Sequence, residues 1–461
     1  MTSVRRLLGV LLAIALVLTA ACGGDDDSGD SAGGGEASGD GEGATLNVPD
    51  DFDTIQAAVD EAAPGDLVLV APGTYEEAVT VETDELTIRG LDRNEVILDG
   101  GFELDNGIRV VGASGVAVEN MTARNYTSNG FFWTGVEGYR GSYLTTYRIG
   151  DYGIYAFDST KGLIEHAYTS GSPDAGVYIG QCYPCDAVID DVVSEFNGLG
   201  YSGTNSGGNL LIVNSTFRNN RAGVVPNSGS YELCYPERDT TIVGNLVYDN
   251  NQSDSPAIDV AFDAQGNGIL VAGGVGNTIE RNRVWDHELT GIGLVPFPET
   301  DANDVVPPPE DDEQPCSEAQ DEPTADPADI PETVLWNPRD NTVIGNVIED
   351  SRLADIGVGS LEDVSGMRNC FADNDHTTTA PADLEALAPC EGEGSDGDWS
   401  QGALDFGPFL AEKPPSGDYK TTPVPEAQEN MPDAETAPAS PAVDMPPSVD
   451  VDAIEVPDKP S

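Results

Sequence analysis

Carboxylates and one histidine are the residues of this sequence whose types suit proton transfer. Asp286-His287-Glu288 are consecutive, and Asp259 and Asp263 lie four positions apart in an insertion of the repeat. Such side chains can act as a general acid or base when a substrate is held within hydrogen-bond reach. We therefore take Asp259, Asp263, His287 and Glu288 as the candidate catalytic residues. For residues 286–288 a solvated turn is the favoured alternative, because they occupy the corner that residues 218–220 fill in another repeat. For Asp259 and Asp263 the alternative is that loop acids are common in so acidic a chain.

Three aromatic residues recur at a spacing of 23 and could bind a planar ligand. Phe132, Tyr155 and Tyr178 occupy one column of this spacing, and Asn227 falls in the column beside it. Aromatic faces stack on flat groups, sugar rings among them. The alternative is a structural ladder of rings covered by loops. We predict that Phe132, Tyr155, Tyr178 and Asn227 are ligand-binding residues.

Six cysteines follow Cys22, and an even number outside the cytoplasm favours disulfides. Six cysteines allow fifteen pairings, and we expect Cys370 to pair with Cys390 because they flank one local loop. The other four project from the same edge of the repeat described below. A redox or metal-binding role for the C-x-x-C pair is the alternative. The candidates for disulfide bonds are Cys182, Cys185, Cys234, Cys316, Cys370 and Cys390.

A glycine followed by an apolar residue returns about every 23 positions. This repeat is the feature of the sequence that sets the positions of the candidate side chains. A second marker, mostly asparagine, runs in phase with it, and a fixed period of this length indicates stacked repeats. Apolar residues alternate after each glycine, as expected for a half-buried strand whose first and third residues point inward. Three short strands use up the repeat, which predicts a parallel β-solenoid. The glycines are Gly107, Gly130, Gly153, Gly176, Gly200, Gly223, Gly268, Gly291 and Gly357.

The solenoid resembles the single-stranded right-handed parallel β-helix of pectin-lyase-like proteins over roughly residues 45–375. The stretch from Val48 to Glu77 resembles the N-terminal cap of pectinesterases, with a short helix in residues 51–63 and Asp53 as its N-cap. The resemblance implies an all-β fold with a substrate cleft on the glycine strands. Residues 286–288 are similar to the Asp-Pro-His-Glu of alginate C5-epimerases but lack the proline. The outward-facing residues of the glycine strands would form the floor of this cleft. They lack the acids that Ca²⁺-dependent lyases and hydrolases of this fold carry there.

Insertions interrupt the repeat at residues 230–240, 252–266 and 296–336. All three flank the glycine strands, and insertions on one face of a repeat protein usually build its binding face. We therefore expect these loops to wall a cleft near the coils of Gly223, Gly268 and Gly291.

Both ends of the chain differ in composition from the repeat. Residues 1–21 read as a secretory signal, and Leu18–Cys22 resembles a bacterial lipobox, which implies acylation of Cys22. Residues 22–44 form a Gly/Ser/Asp-rich tether. Residues 376–415 are predicted to be a C-terminal loop region, and residues 416–461 a disordered acidic tail rich in proline and alanine. An ordinary signal peptide is the alternative at the N-terminus.

The formal net charge of −62, from 82 acidic and 20 basic residues, limits the partners. Such a surface repels nucleic acid and anionic lipid, so the acyl group would have to hold the protein at the membrane. A neutral polysaccharide fits this charge better than an anionic one, unless Ca²⁺ bridges the two. We expect no cofactor, although Ca²⁺ binding is compatible with the charge, and we expect a monomer.

Two functions from different classes follow from these features. The favoured one is a non-catalytic lipoprotein on the extracellular face of the membrane that binds polysaccharide or a surface protein. The alternative is a carbohydrate-active enzyme, namely a polysaccharide lyase, glycoside hydrolase or epimerase, with its catalytic residues on the loops.

Overall fold

A computed structural model describes residues 43–300, 302, 315–319, 332–361, 366–392 and 402–460. Cys22, the signal sequence and nearly all of the tether lie outside the described residues, so their roles stay predictions. The same holds for much of the 296–336 insertion.

One face of the fold is a parallel sheet that we call the glycine sheet, because its strands carry the repeated glycines. Successive coils pair in register, so that Ile154 lies between Phe131 and Val177. Its eleven described strands are Val79–Val81, Asn106–Val111, Asn129–Thr134, Ile154–Phe157, Ala175–Gly180, Leu199–Thr204, Ala222–Asn227, Ile269–Ala272, Thr290–Val295, Ala354–Val358 and Thr379–Ala380.

The remaining coil strands form a second parallel sheet, which we call the large sheet. Most coils contribute two strands to it, so the predicted three-strand coil is confirmed. Its twenty described strands are Thr45–Val48, Leu67–Val70, Gly73–Tyr75, Thr87–Gly90, Val96–Asp99, Val116–Arg124, Glu137–Tyr147, Thr160–Glu165, Tyr168–Ser170, Ala187–Asp190, Val193–Glu195, Gly207–Val213, Thr216–Arg218, Arg238–Val243, Leu246–Tyr248, Thr278–Glu280, Arg283–His287, Thr342–Ile344, Val347–Ser351 and Cys370–Ala372. A separate antiparallel pair joins Phe297–Thr300 to Thr333–Trp336.

The core runs through the inside of the coils and follows the predicted alternation. Ile154 and Ala156, one and three residues after Gly153, are fully buried, and so are Val177 and Ile179 in the next coil. Burying these side chains out of water is the main stabilising term, because a lone coil has no closed interior.

Buried asparagine ladders also hold the coils together. Asn245 Nδ2 donates to Asn282 Oδ1 at 3.0 Å, Asn282 donates to Asn346 at 3.0 Å, and Asn346 donates to Asn374 at 2.9 Å. An asparagine at the second marker of the repeat predicts a left-handed bend, and Asn120 and Asn214 have that conformation, with φ of 55° and 48°. In this ladder the positive φ falls one residue earlier, for example at Gly244 with φ 68°. The asparagines of the ladder therefore satisfy buried backbone groups instead of making the bend.

The described residues also include short helices and 3₁₀ turns. The helices are Ile55–Glu61, Asp259–Asp263, Cys316–Ala319 and Leu384–Leu387, and the 3₁₀ turns are Tyr419–Thr421 and Val451–Ala453. The first helix is the predicted N-terminal cap and buries Ile55, Ala58 and Val59. Its N-cap is Thr54 and not Asp53, because the Thr54 hydroxyl accepts from the amide of Ala57 at 3.1 Å.

Three disulfides link the cysteines after Cys22. Cys370 bonds to Cys390, as predicted, and Cys182 bonds to Cys185 within the C-x-x-C pair. Cys234 bonds to Cys316, which joins the 230–240 insertion to the 296–336 insertion.

The prediction of a disordered tail differs from the structure. Residues 414–459, which we call the C-terminal strap, lie along the outside of the coils in an extended conformation. Arg221 donates to the carbonyls of Pro414 and Pro415, and Lys459 forms an ion pair with Glu349. Composition predicts disorder because the strap has few apolar side chains to bury, yet its backbone carbonyls find donors on the solenoid.

Candidate functional site

The aromatic column lies where the repeat places it. Tyr155 is paired in register with Phe132 on one side and Tyr178 on the other. The ring centroids of Phe132 and Tyr155 are 4.7 Å apart, and those of Tyr155 and Tyr178 are 4.9 Å apart. The three rings therefore form one continuous strip on the outer face of the glycine sheet.

The strip is open at one end and covered at the other. Phe132 and Tyr155 are half-buried, whereas Tyr178 is only 1% exposed. The Tyr178 hydroxyl donates to the carboxylate of Glu232, which comes from the 230–240 insertion. Asn227 is buried as well and accepts from Tyr231 at 2.7 Å. Tyr178 and Asn227 are thus not open to a ligand in this structure, contrary to the sequence prediction.

The insertions lie on the sheet and fill the cleft that the sequence places beyond Tyr178. The outward residues Ser202, Val225 and Leu270 are all buried. A second apolar cluster covers this part of the sheet. It includes Ala257, Ala261 and Ala264 from the 252–266 insertion, which we call the wall loop, and Leu404 from the C-terminal region. The apolar faces of these short segments have no other place to be buried.

The open part of the glycine sheet therefore centres on Phe132 and Tyr155. The exposed Arg109 places its guanidinium carbon 5.8 Å from the Phe132 ring centroid. Tyr152 stacks on Tyr155 with centroids 4.4 Å apart and an interplanar angle of 6°. Tyr231, which is 42% exposed, lies at a later coil, where its hydroxyl donates to Asn227. Tyr155 is thus stacked on both Tyr152 and Phe132, which is the ladder arrangement that the sequence predicts as the alternative, and it is the partly exposed portion of these rings that a ligand can contact.

Three carboxyl groups lie near enough to Tyr155 to raise the pKa of its hydroxyl. Burial raises the pKa of Tyr155, and the charges of Glu232, Asp151 and Asp174 raise it further. Tyr152 links the aromatic and acidic groups, because its hydroxyl donates to Asp174 Oδ2 at 2.7 Å. The open strip thus lies next to a carboxyl cluster, which we define as Asp151, Asp174 and Glu232.

The catalytic candidates predicted from the sequence do not include this cluster, because they come from the insertions and from the consecutive residues 286–288. Asp151 and Asp174 each lie two residues before a repeated glycine, Gly153 and Gly176, so a search in phase with the repeat would have found them. Glu232 lies in an insertion, where the repeat gives no register.

Burial raises the pKa of two of these carboxyl groups. It raises the pKa of Glu232 to about 8, and nearby Asp174 adds to the shift, although the hydrogen bond from Tyr178 opposes it. Glu232 Oε2 is buried and has no hydrogen-bond partner among the described residues. Burial also raises the pKa of Asp151 to about 6. Glu232 is therefore mainly protonated at neutral pH, while Asp151 is mainly ionised.

The catalytic candidates from the sequence lie elsewhere and are not brought together with the strip. His287 is buried at the end of an asparagine ladder, where Asn250 Nδ2 lies 3.4 Å from its Nε2, and burial lowers its pKa to about 3. Asp286, in the strand Arg283–His287, and Glu288, in the bend directly after it, are exposed. Asp263 is exposed at the end of the wall-loop helix that begins at Asp259.

The described residues contain no group of three His, Cys, Asp or Glu side chains placed to hold a metal ion. Ca²⁺ binding stays an untested expectation. Within the same residues, no helix has the length and apolar content needed to cross a membrane.

Comparison with protein families agrees with the geometry of the coils. Residues 106–296 match the family model described as the right handed beta helix region. The chain contains a right-handed parallel β-helix. The matched residues include Phe132, Tyr155 and the carboxyl cluster.

Solved structures with similarity to this chain include several proteins that act on polysaccharides. The A-module of a mannuronan C-5 epimerase from Azotobacter vinelandii shares 14% identity over 70% of this chain and 90% of its own, with a TM-score of 0.43. A rhamnogalacturonan lyase shares 12% over 77% and 93%, with a TM-score of 0.45. An alginate lyase from Paenibacillus sp. str. FPU-7 shares 14% over 54% and 90%, with a TM-score of 0.37. At these identities the likeness concerns the fold alone. The comparison with curated proteins gives no match.

Proposed function

We propose that this protein binds a polysaccharide on the open part of the glycine sheet, with sugar rings stacked on Phe132 and Tyr155. The observation that carries the proposal is the pair of partly exposed rings, Phe132 and Tyr155, next to three carboxyl groups. Rings offer apolar faces to the C–H groups of a sugar, and carboxyl oxygens accept hydrogen bonds from its hydroxyls.

A neutral polysaccharide suits this surface better than an anionic one. The carboxyl cluster and the net charge of −62 repel anionic sugars, and Arg109 is the basic side chain that lies over the strip. Hydroxyl-rich neutral sugars meet no such repulsion. With the predicted acylation of Cys22, this surface would be held on the outer side of the membrane, and we further propose a cell-surface lipoprotein on that prediction.

The test is a glycan array with the soluble protein, followed by affinity measurements on each hit. Replacing Tyr155 or Phe132 by alanine should weaken binding about tenfold. Tyr248→Ala is a matched control, because Tyr248 stacks on Trp285 at 4.2 Å across coils of the large sheet, away from the strip. Equal affinity for the wild type and both strip variants would refute the proposal.

Hydrolysis of a glycosidic bond is a second candidate, and the carboxyl cluster favours it. A carboxyl group kept protonated at neutral pH can donate its proton to the glycosidic oxygen, while a second, ionised carboxylate activates the attacking water. Glu232 has the first property and Asp151 the second. Glu232→Gln should then abolish product formation and leave glycan affinity within about threefold. A product with an unsaturated terminal sugar would indicate a lyase instead. If no bound glycan gives a product, only the binding function would remain.

A further inference from the structure

The C-terminal strap contacts the solenoid along most of its length. It begins beside Arg221 and passes Arg148, where the Arg148 guanidinium donates to Thr422 O at 2.7 Å. It reaches the first coils, where Ala442 N donates to Gly115 O at 2.8 Å, and then returns along the large sheet. Near its end Arg283 donates to Pro457 O at 2.6 Å. The strap therefore touches coils that are far apart in the stack.

Arginine side chains that donate to backbone carbonyls form one large group of contacts between the solenoid and the strap. Asparagine side chains add others, for example Asn94 Nδ2 to Gln428 O at 2.9 Å and Met431 N to Asn120 Oδ1 at 2.8 Å. Basic residues are scarce in this chain, which has 20 against 82 acidic ones, so six arginines facing one segment is a large share. Guanidinium groups suit this role because each carries several donors in a fixed geometry. The six arginines are Arg89, Arg93, Arg148, Arg221, Arg281 and Arg283.

The strap itself contributes little to the core. No described residue of the strap pairs as a strand with either sheet. Several of its apolar side chains point to solvent, with Val424 59% exposed and Met445 47% exposed. Val451 and Ile454 pack only on a small patch of the outer surface around Val213. An extended, proline-rich chain bound through its carbonyls is the arrangement by which proteins bind peptide ligands.

We propose that this arginine-lined surface is a peptide-binding site, that the C-terminal strap is its ligand in cis, and that the same segment binds it in trans. The ligand is an extended, proline-rich segment recognised by its backbone. This proposal is independent of the polysaccharide site.

Charge gives the proposal a distinctive salt dependence. Residues 414–461 carry ten acidic and two basic side chains, and the solenoid is acidic as well. The hydrogen bonds to the strap carbonyls form in spite of this net repulsion. Salt screens the repulsion and so weakens it. Raising the salt concentration should therefore tighten the complex, whereas recognition of strap carboxylates by arginine would weaken with salt.

The experiment uses the folded full-length protein with a site-specific protease sequence inserted directly after Leu410, which is 84% exposed, so that the cleaved fragment does not include Leu404. After cleavage, size-exclusion chromatography should show the C-terminal fragment eluting with the solenoid. Arg281→Ala with Arg283→Ala should speed its release about ten- to hundredfold, because two charge-assisted hydrogen bonds are lost. Arg368→Ala is the matched control, since Arg368 binds Asp340 at 2.6 Å on the solenoid.

A labelled synthetic peptide of residues 414–461, added in excess to the cleaved protein, should then replace the bound fragment. Circular dichroism of each variant before cleavage establishes that the solenoid is folded. Immediate loss of the fragment from the wild type would overturn the proposal, because the strap would then be held only by its covalent link. Failure of the fragment to exchange, even in the double arginine variant, would also overturn it, because the strap would then be part of the fold.

Discussion

Replacing Glu232 by glutamine should make the protein more stable at high pH and change it little at low pH. Burial raises the pKa of Glu232 from 4.5 to about 8 in the folded protein, so the folded state holds a proton that the unfolded state releases. Between these two pH values the stability of the wild type must fall as the pH rises, since the unfolded state binds fewer protons. Glutamine mimics the protonated carboxyl group and removes that dependence.

The size of the effect follows from the shift. A difference of about 3.5 pH units corresponds to at most about 5 kcal/mol of folding free energy, all of it present below pH 4.5 and lost above pH 8. Glu237 adds a slope of the same sign, because burial raises its pKa to about 8 even though Asn277 and Thr240 donate to it. Removing Glu232 alone should therefore leave part of the wild-type slope.

The assay is urea unfolding at pH 5 and pH 8.5, monitored by circular dichroism. We expect the wild type to lose several kcal/mol between the two conditions and Glu232→Gln to lose markedly less. Glu288→Gln is the control, because Glu288 is an exposed carboxylate in a bend. An unchanged pH dependence in Glu232→Gln would show that the Glu232 carboxyl is hydrated in solution and would remove it as the proton donor.

Three further predictions concern the strip, the ladder and the anchor. Tyr178→Ala should lower the free energy of unfolding by about 3 kcal/mol in urea titration, because the ring is buried, whereas Tyr155→Ala should cost about 1 kcal/mol; equal losses would contradict the difference in exposure. Asn282→Ala should cost about 2–4 kcal/mol in the same assay, because it leaves buried partners at Asn245, Asn346 and Ile242 O unsatisfied; a loss within 0.5 kcal/mol, about the effect of a neutral surface change, would mean that the ladder does not hold the coils. Cys22→Ser should abolish acylation, as measured by metabolic labelling with a fatty acid, and leave the protein unprocessed or released from membranes; a normally processed variant in the membrane fraction would disprove the lipoprotein prediction.

The coil pattern was predictable from sequence because strand alternation has only two phases. Once Gly153 and Gly176 are aligned, Ile154 and Val177 must be on the inside, and Tyr155 and Tyr178 on the outside. A one-residue error would turn every apolar side chain to water, so the repeat itself fixes the register. The same logic places Asp151 and Asp174 at equivalent corners.

The position of the insertions was not predictable in this way. Their length indicates that they leave the coil, but whether they rise from the sheet or lie on it depends on contacts between distant segments. Ala261 packs on the sheet, and Glu232 meets Tyr178 because the Cys234–Cys316 disulfide and the neighbouring loops bring that segment down. No local pattern in the 230–240 insertion encodes this contact.

The covering of the solenoid explains why the open aromatic surface is confined to a few coils. The wall loop and the C-terminal region bury the glycine sheet around Val225 and Leu270, and the strap occupies much of the large sheet. A parallel solenoid would otherwise offer repeated, equivalent surfaces on every coil. Phe132 and Tyr155 stay half-exposed next to weakly acidic carboxyl groups, a combination that costs stability at high pH and has no role in closing the core. Such a departure from the repeat is expected where a surface serves a ligand, which is the physical basis for placing the polysaccharide there.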